Sequence, residues 1–391
     1  SPNVLPTLEG EGGNVKNNTI RLNGAVTLTF KPVKWLTLEG MVAPRYVTTN
    51  NHTFVKKMKF YSDAFGTVSN SSNVAFNYLD ESANRSFYGN YQFTAALQHT
   101  FAQNHNFKLL LGASRETYDN KTLSAHREDF AYPDYEVIGA GADNETKDNG
   151  GGHAQWALQS FFGRLNYNFK ERYLFEANVR FDGSSRFAKG NRWGIFPSFS
   201  GAWRLTEEPF MQDVRRTLSE FKIRASYGML GNNNVALYRY QTIIDNSGNE
   251  IVNGNPDLTW EKVKILDAGV ALSLFGQKLE VTFDWFRKVT DDMIVNVPST
   301  PSSGLLAAPM NVGKAEVKGY EIGVGFNHSF TKDIDFSINL GYSYNKSKWL
   351  EITNDELING NTIYRKGHAI KEYYGYQADH LLTQDDLDFR V

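Results

Sequence analysis

The sequence predicts an all-β fold, a transmembrane antiparallel up-and-down β-barrel to which this chain contributes about twelve strands. Three observations predict it. Polar and apolar residues alternate with period two through segments of about 10 to 14 residues, longer than the usual soluble strand of about five or six. The connections alternate between short and long, as in barrels with short periplasmic turns and long extracellular loops. Aromatic residues gather where the short turns meet the strands, the position of an interfacial girdle.

The first strand, near 20–30, sets Ile20, Leu22, Gly24, Val26, Leu28 and Phe30 on one face against Arg21, Asn23, Ala25, Thr27 and Thr29 on the other. The second, near 35–47, opposes Leu36, Leu38, Gly40 and Val42 to Thr37 and Glu39. Strands near 87–101, 107–118 and 156–169 follow. In 173–182 the residues Tyr173, Phe175, Ala177, Val179 and Phe181 face away from Glu176, Asn178 and Arg180. Further strands fall near 193–204, 221–229, 263–275, 279–289 and 315–330. The last, 334–346, opposes Phe336, Ile338, Leu340, Tyr342 and Tyr344 to Ser337, Asn339, Gly341, Ser343 and Asn345. A strand of about eleven residues, rising about 3.3 Å each and tilted by about 40°, spans about 28 Å, the depth of the hydrocarbon layer.

The short connections are 31–34, 102–106, 170–172, 276–278 and 331–333. The long ones are 48–86, 119–155, 230–262 and 290–314, with a tighter one at 183–192. The link 205–220 is long for the periplasmic side, and Glu207-Glu208-Pro209 before Met211–Leu218 predicts a helical turn with Pro early in it. Rings flank the short turns: Phe30 and Trp35, Phe101 and Phe107, Phe169 and Tyr173, Trp203 and Phe221, Phe330 and Phe336.

Composition narrows the function classes. The chain carries 41 Lys and Arg against 43 Asp and Glu, so no basic excess draws it to nucleic acid. It has no cysteine, which excludes disulfides, thiolate metal sites and thiol nucleophiles. Aromatics make up 14% of the residues, with 27 Phe and 20 Tyr, while the mean hydropathy is clearly polar, an unusual pairing for a soluble core. No stretch approaches the 18 or so apolar residues of a transmembrane helix.

Catalytic signatures are missing: there is no His-Glu-x-x-His, no phosphate-binding Gly-rich loop with Lys and Ser or Thr, and no Gly-x-Ser-x-Gly elbow. Gly139-Ala140-Gly141 is half of a dinucleotide fingerprint and sits among loop residues. The nearest histidines, His99 and His105, flank a turn. No catalytic residue, cofactor or metal is therefore expected. Arg164, Glu176, Arg180, Arg224, Asp284 and Lys288 occupy the face opposite the apolar one. A charge facing lipid at mid-depth costs about 2–4 kcal/mol, so these residues should line a wet or protein-filled interior. In the 183–192 loop and its flank, Arg186, Phe187, Arg192 and Trp193 combine cations with rings and are the candidate ligand-binding residues; a solvated hairpin tip is the competing reading.

Several blocks resemble a known family. They are Arg172-Tyr173-Leu174-Phe175-Glu176 continuing through Phe181-Asp182-Gly183-Ser184-Ser185-Arg186-Phe187, Trp193-Gly194-Ile195-Phe196-Pro197-Ser198, Asn255-Pro256-Asp257-Leu258-Thr259-Trp260-Glu261, Asn311-Val312-Gly313-Lys314-Ala315-Glu316-Val317-Lys318-Gly319-Tyr320-Glu321 and Tyr373-Tyr374-Gly375-Tyr376. In this order they resemble the barrel of SusC/RagA-type TonB-dependent transporters. The resemblance is dense over 156–390 and rests mostly on strand pattern before that. It implies a barrel of about 22 strands around an internal plug, a TonB complex that energises it, a SusD-like surface lipoprotein as partner, and oligosaccharide or peptide as cargo. It also implies a place in the outer membrane of Bacteroidetes-type cells. Against that pattern, residues 1–391 read as a partial barrel domain in which the plug, the TonB box and the closing strands are not seen. The function expected is nutrient import rather than enzymatic catalysis. The alternatives are a complete twelve-stranded passive channel, a barrel enzyme, and a soluble β-sandwich adhesin.

Overall fold

The computed structural model describes residues 12–58, 74–244, 247–248, 250–297, 308–353 and 356–377. The strands, in chain order, are β1 Gly13–Asn23, β2 Val26–Val33, β3 Leu36–Val55, β4 Tyr78–Phe101, β5 His105–Glu128, β6 Asp148–Phe169, β7 Tyr173–Ser184, β8 Trp193–Arg204 and β9 Leu218–Asn232. They continue with β10 Ile243–Ile244, β11 Glu250–Val252, β12 Glu261–Leu274, β13 Leu279–Val297, β14 Ala308–Ser329, β15 Asp335–Glu351, β16 Glu356–Asn359, β17 Thr362–Arg365 and β18 Glu372–Tyr373. Thirteen of them form one antiparallel sheet in the order β1-β3-β4-β5-β6-β7-β8-β9-β12-β13-β14-β15, with β2 also on β3. β10 and β11 form a hairpin, and β16 to β18 a small sheet of their own.

The count exceeds twelve because the first predicted strand is two. β1 pairs with the far half of β3 and β2 with its near half. The break at Gly24 and Ala25 faces Pro44, whose carbonyl accepts the Gly24 N–H at 3.0 Å but which has no N–H to return. Strand length departs further from expectation. β4 and β5 run for 24 residues each, roughly 80 Å at about 3.3 Å per residue, so the strands continue far into what the sequence pattern reads as long loops. Parts of the predicted loops 48–86, 230–262 and 290–314 lie outside the described residues.

The short connections are where the pattern places them. Ala102 and Gln103, and again Lys170 and Glu171, take left-handed φ of 44°, 61°, 52° and 56°, the conformation whose twist matches that of the flanking strands. The 205–220 link forms two short 3-10 turns, Leu205–Glu207 and Pro209–Val214, with Pro209 at the start of the second.

The chain divides into two compact units. One comprises Ser1–Ala96, Leu111–Phe161 and Gly183–Ser185; the other Leu97–Leu110, Phe162–Asp182 and Arg186–Val391. In the first, Phe54, Leu79 and Phe130 form a small buried cluster, with Phe54 and Phe130 edge to face at 5.3 Å. In the second, Ala315, Trp349 and Ile352 form another. Nearer the short turns many large apolar strand residues are exposed instead: Leu28 is 73% exposed and Leu340 61%.

Candidate functional site

Hydrogen-bonded registers decide which side chains share a face. Across β9, β12 and β13, Ile223, Val270 and Phe283 are level, as are Ala225, Ala268 and Trp285; this is the exposed apolar face. One residue along each strand, the opposite face holds Arg224, Gly269 and Asp284 in a row. Arg224 reaches over the intervening β12 to Asp284, donating at 3.0 Å through Nε and at 2.6 and 2.5 Å through its terminal nitrogen. Only a glycine permits this reach, because a Cβ on Gly269 would stand 1.9 Å from the Asp284 carboxylate.

The polar face carries the other predicted charges as well. Arg164 donates to Asn178 at 2.8 Å, and Asn178 in turn donates to Glu176 at 2.8 Å. Arg180 binds Asp182 at 3.0 Å. Lys108, Asn166, Glu176, Lys222, Arg224 and Asp267 are among the residues lining a cavity of 620 Å³ on the second unit. With amides and charges of both signs, this cavity suits polar matter or a folded polar segment.

A second feature is a knot of loops in the same unit. Trp260 is buried between Phe187, at 5.6 Å, and Phe196, at 5.3 Å. Its indole N–H donates to the Arg192 carbonyl at 2.8 Å. The Cζ end of the Phe196 ring lies close over two glycines, since a Cβ on Gly194 or Gly231 would come within 2.3 or 2.1 Å of it. Asn311 clamps the adjoining segment from two sides: its carbonyl accepts the Thr259 N–H at 3.0 Å, and its amide donates to the Thr259 carbonyl at 3.0 Å. Asn255 donates to the Pro309 carbonyl at 3.0 Å, and Asn191 to that of Pro256 at 3.0 Å.

The four candidate ligand residues are not gathered around one opening. Phe187 is fully buried in the knot. Arg186 donates to the Val235 carbonyl, and burial draws its guanidinium below its ordinary value. Arg192 donates through Nε to the Phe187 carbonyl at 3.2 Å. Trp193 is 54% exposed at the start of β8, on the same face as Ile195, Phe199 and Trp203 by the period of two. Sequence reasoning missed Trp260, Gly269 and Asn311. The signal was available in the Asn-Pro-Asp-Leu-Thr-Trp block of 255–260, but its contact with 187–196 is nonlocal.

At the short-turn end, rings run along the sheet. Phe101 meets Phe107 at 5.8 Å, Phe169 stacks on Tyr173 at 6.3 Å, and Tyr173 stacks on Trp203 at 6.3 Å. Glu208, between the two 3-10 turns, accepts from the Tyr173 hydroxyl at 2.7 Å and the Trp203 indole at 3.0 Å. These donors, with Arg172 nearby, hold its carboxyl below the usual carboxylate range.

An antiparallel sheet with one exposed apolar face, one charged face, and aromatic residues along the short-turn end defines the wall of a membrane-spanning β-protein. The chain belongs to the TonB-dependent receptor-like β-barrel family, whose profile matches residues 8–386. It is 30% identical over 295 residues to TonB-dependent receptor P3 of Formosa agariphila, covering 70% of this chain and 29% of that protein. It is 30% identical over 251 residues to TonB-dependent receptor SusC of Bacteroides thetaiotaomicron, covering 56% of this chain and 25% of that one. Its fold matches the RagAB peptide transporter with a TM-score of 0.84 at 22% identity, covering 94% of this chain and 41% of that chain. The chain thus spans well under half the length of these relatives.

Proposed function

We propose that this chain is part of the barrel wall and extracellular loops of an outer-membrane nutrient importer that binds and gates rather than catalyses. The observation that carries the reading is the division of the sheet into an apolar face and a charged one, with Arg224 and Asp284 paired over Gly269 on the latter. The apolar face meets lipid and the charged face lines the interior. The names of the relatives, a TonB-dependent receptor for SusC and a peptide transporter for RagAB, support peptide cargo and energy supplied through TonB in the complete protein; oligosaccharide as the other cargo and a SusD-like surface lipoprotein follow from the resemblance to SusC/RagA-type transporters. They also support a Bacteroidetes-type host. The charged side chains among those lining the 620 Å³ cavity, Lys108, Glu176, Lys222, Arg224 and Asp267, support a wet or protein-filled interior on that face. Arg186, Phe187 and Arg192 serve cargo indirectly, by fixing the shape of the loop that carries them, and Trp193 stands beside them at the start of β8.

The test uses the complete protein in whole cells. Cysteine at Tyr132 should react with a membrane-impermeant maleimide, and cysteine at Glu171 only after the outer membrane is opened. Uptake of labelled oligosaccharide or peptide should require the protein and collapse with the proton-motive force. Labelling of Glu171→Cys alone would reverse the orientation, and uptake that survives loss of the proton-motive force would favour a passive channel.

A further inference from the structure

The apolar face of β13, β14 and β15 changes chemistry within one step. Trp285, Tyr320 and Tyr344 stand level across the three strands. Two residues further from the short turns, Arg287, Lys318 and Lys346 are level in the same way. A spacing of two keeps both rows on one face. Like charges directly opposite one another in a sheet repel, so a row of three cations needs an anion. Glu316, itself buried, supplies part of it: Arg287 donates to it at 2.6 Å, and Lys348 lies 3.4 Å from it. Lys318 and Lys346 are exposed, and among the described residues no carboxylate lies within ion-pair distance of either. Arg287 and Lys348 thus share one carboxylate, and Lys318 and Lys346 pair with none among the described residues.

We propose that this row binds the phosphate groups of lipid headgroups in the outer leaflet. The inference rests on the orientation proposed above, in which the long loops lie outside. The row is continuous with the face that meets hydrocarbon, and the three rings beneath it mark the interface. Two residues of a tilted strand rise about 5 Å above those rings, at headgroup depth. Lys318 and Lys346 keep their stems along the apolar face and their ammonium groups in the headgroup layer. Arg287 presents a planar fork suited to phosphate. A protein partner with an acidic face would match the charge, but it would have to displace the lipid that already lies against Trp285, Tyr320 and Tyr344.

The experiment uses the complete protein in dodecyl maltoside, titrated with mixed micelles that carry phosphorylated lipid A or its dephosphorylated form. The protein should prefer the phosphorylated glycolipid. The double variant Lys318→Gln, Lys346→Gln should bind it about tenfold more weakly, each cation near a membrane surface contributing a few-fold. Lys288→Gln, on the opposite face of β13, should bind as the parent does. If the double variant does not fold, Lys318→Gln and Lys346→Gln singly should each lose about threefold. Equal binding by the variants, equal binding of the dephosphorylated glycolipid, or full competition by millimolar inorganic phosphate would overturn the proposal. Heat-modifiable migration of the parent protein on gels separates this failure from failure of the barrel reading: a heat-modifiable protein without lipid preference sinks only the lipid site.

Discussion

Two regions of the second unit use the same residue types to opposite ends. In the knot around Trp260, Phe187 and Leu258 have no exposed surface, and their rings and chains fill a core as in a soluble protein. In the strand midsections, Leu340 and Tyr342 are more than half exposed among the described residues. Among the described residues, burial is confined to small separate clusters. The knot carries its own apolar environment, whereas the strands borrow theirs from lipid.

The largest effect is expected at the knot. Trp260→Ala in the complete protein should cost about 3–5 kcal/mol of local stability, as a large buried ring does, and should expose the 183–192 loop to protease. Unchanged proteolysis would mean that the knot is not a core. Next comes the strand face. Leu340→Arg should cost about 2–4 kcal/mol in reversible unfolding from bilayers, and Asn339→Arg far less, because only Leu340 faces lipid. Equal costs would erase the distinction between the faces.

A finer test uses two glycines. Gly269→Ala should cost about 1–3 kcal/mol, since the new methyl group collides with the Arg224–Asp284 pair. Gly341→Ala has open space around its Cβ and should stay within about 0.5 kcal/mol of the parent protein. The smallest effect concerns pH. Glu208 is held below its ordinary value of 4.5, so the stability it contributes is present above that value and is lost as pH falls through its lower folded value. Acid unfolding of Glu208→Gln should therefore depend less steeply on pH below about 4.5, a slope read directly from unfolding midpoints.

Much of the architecture was written locally. Alternation placed Ile338, Leu340 and Tyr342 on one face and Arg224 and Asp284 on the other, because strand geometry turns successive side chains to opposite sides regardless of partners. Turn residues and ring positions likewise marked where the short connections fall. Strand ends were not legible, since β4 and β5 stay paired through polar stretches where the hydrophobic pattern fades. Neither was the split of the first strand, which depends on Pro44 of a neighbour.

Strand register and loop packing fix which residues stand beside one another. Gly269 matters because register sets it between Arg224 and Asp284. Arg287, Lys318 and Lys346, dispersed along the chain, become one row only through two hairpin registers. Phe187, read as a ligand contact, became a core residue once Trp260 closed over it. The period and the faces are legible in the sequence because they follow from backbone geometry within a few residues. Neighbourhood across strands and loops follows from pairing at long range, where no local pattern reaches.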